Sequence, residues 1–230
     1  YYGGGNEEYY MNLIADAMEP YLAASGIQFT RNTPDMTAAS SIAASNAGNY
    51  DLHLALHSNA VGSGQQSTVR GIDAYYYPAS VNGKRFADIA ANNLQLIYPL
   101  PGMVKTVPTT RLGEVARVRA PGVLIELGYH DNPLDADWIR NNINNIAENL
   151  VLSLTEYFGI PFNMPQPIQV GYVSTEGSNL NIRSRPDIGA PIIGKIPNGS
   201  EILIYNRLPE WDLAGYGGVM GYVSSRYVAV

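Results

Sequence analysis

Two apolar, strand-like runs in this 230-residue sequence carry ionisable side chains at or near their ends. Leu52-His53-Leu54-Ala55-Leu56-His57-Ser58-Asn59-Ala60 ends in an imidazole and an amide. Val123-Leu124-Ile125-Glu126-Leu127-Gly128-Tyr129 encloses a carboxylate. In open α/β sheets ligands gather outside the carboxyl ends of strands, so both positions suit chemistry. An imidazole there moves protons or holds a metal. A carboxylate in an apolar run is costly to ionise unless a metal or a partner compensates it. Each residue also has a plainer reading. A histidine in an apolar run can be a satisfied core residue, and Glu126 can pair with an arginine such as Arg119. Asn6-Glu7-Glu8 opens a helix, where carboxylates complement the macrodipole.

These residues need elements to hold them. Met11, Ile14, Met18, Tyr21 and Leu22 recur at helical spacing over Glu8–Ala24, with Pro20 expected to kink or shorten the last turn. Ile27–Arg31 reads as a short strand and Thr37–Ala47 as a helix. Leu52–His57, Ile72–Tyr77 and Val123–Leu127 read as buried strands. Gly83–Ile97 and Trp138–Phe158 read as helices. Strands alternating with helices imply an α/β sheet covered on both faces. Beyond Phe162-Asn163-Met164-Pro165-Gln166-Pro167 the texture changes to short β-like runs broken by glycine, proline and asparagine. That is the pattern of a small β-barrel. The expected division is residues 1–161, a linker at 162–168, and residues 169–230.

Composition narrows the chemistry further. There is no cysteine, which excludes a thiol nucleophile, a disulfide framework and thiolate metal sites. The formal net charge of −6 argues against nucleic acid as a partner. Residues 1–161 carry 15 acidic and 9 basic side chains, whereas residues 162–230 carry 5 of each, so the acidity belongs to the first part. No apolar run reaches the length of a membrane span.

Taken together, the three segments resemble the zinc-dependent N-acetylmuramoyl-L-alanine amidases of the type 3 family, over about residues 6–158. Glu8, four residues before Asn12-Leu13, is similar to that family's helical metal ligand. Thr30-Arg31 matches a Thr-Arg after its next strand. Ala55-Leu56-His57-Ser58-Asn59-Ala60 resembles its Ser-x-His-x-Asn-Ala strand end, with alanine for serine. Glu126-Leu127-Gly128-Tyr129-His130-Asp131-Asn132 resembles the segment holding its catalytic glutamate. The family's Gly-His-Gly-Gly loop, which carries its first histidine ligand, has no counterpart after Tyr1-Tyr2-Gly3-Gly4-Gly5. The expectation is an upstream segment bearing the opening strand. His130 stands where it can reach the same crevice, which gives the expected metal set Glu8, His57 and His130.

The resemblance implies a twisted mixed sheet with helices on both faces, followed by an SH3-like barrel. It also implies hydrolysis of the N-acetylmuramic acid–L-alanine amide of peptidoglycan. Zn2+ would activate a water and Glu126 would move its proton. Residues 169–230 resemble a bacterial SH3 domain through Leu180–Pro186, Ile193–Gly199, Trp211 and Gly221–Tyr227, with Trp211, Tyr216 and Tyr222 as candidate groove residues. The implied partner is peptidoglycan, met outside the cytoplasm, secreted or at the cell wall, by a monomer with no membrane span. The other open reading is a peptidoglycan-binding protein that has lost its full metal site and does not catalyse.

Overall fold

The computed structural model describes residues 1–62 and 66–230. They divide into two compact units: Tyr1–Met18 with Arg31–Phe158, and Glu19–Thr30 with Gly159–Val230.

The first unit is built on a sheet of β1 (His53–Asn59), β2 (Ile72–Tyr76), β3 (Val104–Pro108) and β4 (Gly122–Tyr129), in the order β1-β4-β2-β3. β1 and β4 are parallel, β2 is antiparallel to β4, and β3 is parallel to β2. This is the mixed α/β fold expected, with β3 as an edge strand that the sequence reading did not assign.

Alternation along the strands sorts the two faces. Ile72, Ala74, Val123, Ile125 and Leu127 are buried on one, with Phe86, Ala87, Ala90 and Leu94 of α3 (Val81–Gln95) also buried and α3 packed on β2 and β3. α6 (Ile143–Phe158) covers α3 in turn. The opposite face carries Ala55 and Leu124 packed with Val115 of α4 (Gly113–Ala116). Glu126 and His57 lie on this second face, two residues beyond Leu124 and Ala55.

Local signals account for most boundaries. Asn6 caps α1 (Glu7–Ser25) by accepting Tyr9 N–H at 2.8 Å. Thr37 and Ser40 form a capping box on α2 (Ala38–Ala47), and Asn132 caps α5 (Pro133–Asn141) ahead of Pro133. The helix expected at Trp138–Phe158 is broken at Asn142, whose Nδ2 donates to the Trp138 carbonyl. Pro20 does not stop α1, which continues to Ser25. Residues 27–31 form no strand.

One irregularity follows His57. β1 advances from His57 to Asn59 while β4 advances from Glu126 to Tyr129, so β4 bulges by one residue. Gly128 takes up the bulge at φ +89°, and a Cβ there would lie 3.2 Å from Asp135 Oδ2. Asp135, fully buried, accepts from Arg70 Nε, Tyr98 hydroxyl, Tyr129 N and Gly71 N at 2.7, 2.7, 3.0 and 3.3 Å.

The second unit holds a seven-stranded antiparallel sheet: β5 (Gln169–Val173), β6 (Leu180–Arg183), β7 (Ile192–Ile196), β8 (Glu201–Arg207), β9 (Trp211–Tyr216), β10 (Val219–Ser224) and β11 (Val228–Ala229). Their order is β11-β5-β8-β9-β10-β6-β7, with no pairing among the described residues that closes the sheet into the expected barrel. Val173, Leu180, Ile182, Ile196, Ile202, Ile204, Ala214 and Val223 form its core. Tyr222 is buried, and its hydroxyl donates to the Ser25 carbonyl at 3.3 Å, so it is a core residue and not part of an open groove.

Candidate active site

The register of the central sheet lines up four charged side chains. His57 on β1 is the Cα partner of Glu126 on β4, Glu126 is the partner of Asp73 on β2, and Asp73 is the partner of Lys105 on β3. In-register neighbours project from the same face, so the four form a row across every strand. Asp73 is buried. Tyr75 hydroxyl donates to its Oδ2 at 3.2 Å, and Lys105 Nζ lies 3.5 Å from its Oδ1.

His57 is the hub. Its Nδ1 is 3.0 Å from Glu7 Oε1, and its Nε2 is 3.0 Å from Glu114 Oε2. Glu7 Oε1 also accepts the Ser58 N–H at 2.9 Å. The hydrogen bonds to Glu114 and then Glu7 outweigh burial and push the imidazole up to about 10. Burial pulls the Glu7 carboxyl the other way, but the bonds from His57 and Ser58 prevail and hold it below the ordinary range.

Glu126 behaves differently from its neighbours. Burial first, opposed by His57 and reinforced by the charges of Glu7 and Asp73, raises its carboxyl to about 7. Its Oε2 is enclosed and meets no hydrogen-bond partner. Arg119, the partner suggested by the plainer reading, instead donates to Asn46 through its backbone and its guanidinium.

The other expected residues are placed as follows. Glu8 is exposed in the first turn of α1, and Glu7 is the α1 carboxylate that meets His57. The reason is helical phase. Glu7 lies four residues before Met11 and seven before Ile14, on the buried stripe that continues through Met18. Glu8 is rotated off that stripe. His130 lies past the strand end, with Nδ1 2.9 Å from Ser58 Oγ and its ring stacked on Tyr1 at 5.0 Å. Asn59 turns its side-chain oxygen to Ala60 N–H. His53, at the start of β1, has its Nδ1 3.0 Å from Ser45 Oγ of α2, while its enclosed Nε2 meets no partner. Glu114 was missed by the sequence reading, because a four-residue helix has no periodicity to mark it.

Among the described residues, no three His, Cys, Asp or Glu side chains converge as a ready-made metal site. The chemistry of the cluster nonetheless fits a divalent cation. His57 Nδ1 and the Glu7 carboxylate lie together as a nitrogen–oxygen pair of the kind zinc takes, and Glu126, in register with His57, carries an enclosed oxygen without a partner.

Comparison with known proteins decides the family. The model of the N-acetylmuramoyl-L-alanine amidase family matches residues 1–156, more than half of the sequence. The chain belongs to that family. A bacterial SH3 domain model matches residues 178–229. Among solved structures, this amidase-family chain is similar in fold to the N-acetylmuramoyl-L-alanine amidase of Clostridium difficile 630. That match has a TM-score of 0.60 at 18% identity and covers 68% of this chain and 86% of that one. The corresponding amidase of Nostoc punctiforme matches with a TM-score of 0.58 at 21% identity, over 68% and 87%. The amidase from Mycobacterium smegmatis matches at 0.59 and 18%, over 68% and 78%. No curated protein matches the chain.

Proposed function

We propose that this chain hydrolyses the amide bond between N-acetylmuramic acid and L-alanine in peptidoglycan, with Glu126 as the proton-transfer residue. The observation that carries this reading is half-buried Glu126, with its enclosed Oε2, set in register with His57 on one face of the sheet. Zinc, held by Glu7 and His57, would supply Lewis-acid polarisation and a water of lowered pKa. His130 is tied to Glu7 through Ser58, whose Oγ lies 2.9 Å from His130 Nδ1 and whose N–H donates to Glu7 at 2.9 Å.

The chain's own residues set the rest. A carboxyl held at about 7 is poised to take a proton from the attacking water and to pass it to the leaving amine. The enclosure of Glu126 Oε2, with buried Asp73 beside it in the row, limits how far bulk water screens that charge. The bacterial SH3 match over 178–229 supports retention of the enzyme on the wall, and so action outside the cytoplasm. No helix among the described residues is long and apolar enough to cross a membrane.

The test is hydrolysis of purified muropeptides, read as newly released L-alanine amino groups, with bound zinc measured on the same sample. Cleavage elsewhere in the muropeptide, or none from a zinc-loaded chain, rejects the assignment.

A further inference from the structure

His57 is gripped from two sides by two different elements. Glu7 reaches Nδ1 from α1, and Glu114 reaches Nε2 from α4, each at 3.0 Å. A metal bound to one ring nitrogen leaves the other to an outer partner. Metal-binding imidazoles almost always donate that second N–H to a carboxylate, carbonyl or water, which fixes tautomer and ring angle. The two carboxylates are not equivalent in this respect.

The Glu7 side chain is 37% exposed, whereas that of Glu114 is 16% exposed. Glu114 also stands on the better-anchored support. Its neighbour Val115 packs against Ala55 and Leu124, and the Arg117 carbonyl just past α4 accepts from Asn46 Nδ2 at 2.8 Å. Glu7 therefore lies on the side open to an incoming ion, and Glu114 on the walled side.

We propose that Glu114 is a positioning residue. It accepts the Nε2–H of His57 and so turns Nδ1 towards Glu7, where the cation is taken up. This rests on the zinc reading above, and its test is arranged to separate the two.

Ring nitrogen NMR of the metal-free, full-length protein tests the contact. Glu114→Ala should move the His57 Nε2 resonance and leave Nδ1 near its parent position, and Glu7→Ala should do the reverse. An unmoved Nε2 overturns the proposal. Titration with Zn2+ alone then tests the consequence. Glu114→Ala should weaken uptake by about 10- to 100-fold while keeping the parent stoichiometry. Glu114→Gln, which preserves shape and an acceptor oxygen, should recover part of that loss and guards against misfolding of the alanine variant. Affinity within twofold of the parent makes Glu114 idle, and loss of the ion matching His57→Ala makes it a ligand. Either result overturns the proposal. A parent chain that takes up no zinc rejects the zinc reading itself, and with it the role of Glu114 towards an ion. The ring spectra would still report whether Glu114 holds His57.

Discussion

Glu126 and His57 are Cα partners across the parallel β4–β1 ladder, and the carboxylate oxygen Glu126 Oε2 is enclosed without a partner. A proton acceptor is thereby fixed at one strand spacing from an imidazole whose nitrogens are both occupied.

Replacing Glu126 by Gln keeps the shape and removes the base. Turnover should fall by at least ~10²-fold, with fold and zinc content retained. Near-parental release of L-alanine amino groups would take Glu126 out of the mechanism.

The acid limb of kcat/KM should report the same group. Glu126 must be ionised to accept a proton, so activity should climb as pH rises through about 7. Burial is the main cause of that value, and Asp73 adds to it. Asp73→Asn should therefore move the limb to lower pH. A limb that stays in place shows that Asp73 has no influence on Glu126.

Stability carries the opposite slope. Glu126 ordinarily titrates at 4.5 and is raised to about 7 on folding, so the folded chain binds more protons between those values. Its contribution is full below 4.5 and is lost as pH rises through about 7. His57, raised from 6.5 to about 10, has the same sign in a higher window. The melting temperature of the metal-free protein should fall from pH 5 to pH 7, and Glu126→Gln should flatten that part of the curve. An equal fall in the variant refutes the assignment.

His130→Ala separates two roles for that imidazole. Its Nδ1 is committed to Ser58, so zinc stoichiometry should stay at the parent level. A lost ion, measured on the purified variant, would make His130 a ligand.

Asp135→Ala should cost about 3–5 kcal/mol, because it strands Arg70 and leaves Tyr98, Gly71 and Tyr129 without their acceptor. Urea denaturation measures this directly, and a loss below about 1 kcal/mol would show that the network is dispensable.

The strands that carry His57 and Glu126 were legible because an apolar run interrupted by one ionisable residue is costly and therefore conspicuous. Glu7 was legible in principle: the Met11–Ile14–Met18 stripe, extended backwards by four, lands on it and not on Glu8. Motif spacing points instead to Glu8, about 100° further around the helix. Glu114 and β3 are set by packing and pairing with residues distant in sequence, and the break at Asn142 by a side-chain bond to the Trp138 carbonyl that no apolar pattern marks. Residues 27–31 have strand-like composition but no neighbour to pair with, and composition alone does not make a ladder.

The bulge at Gly128 has a consequence for how this site can vary. Up to Glu126 the ladder is in strict register, and a slip of one residue would turn the whole row of charges to the wrong face. Past Gly128 the alternation is reset: Tyr129 N–H donates to Asp135 and His130 N–H to the Asn59 carbonyl, so both mouth residues take their orientation from the bulge and not from the register of the row. Substitutions at the mouth can therefore accumulate without disturbing the row. The bulge acts as a joint between a part that must stay fixed and a rim that can vary.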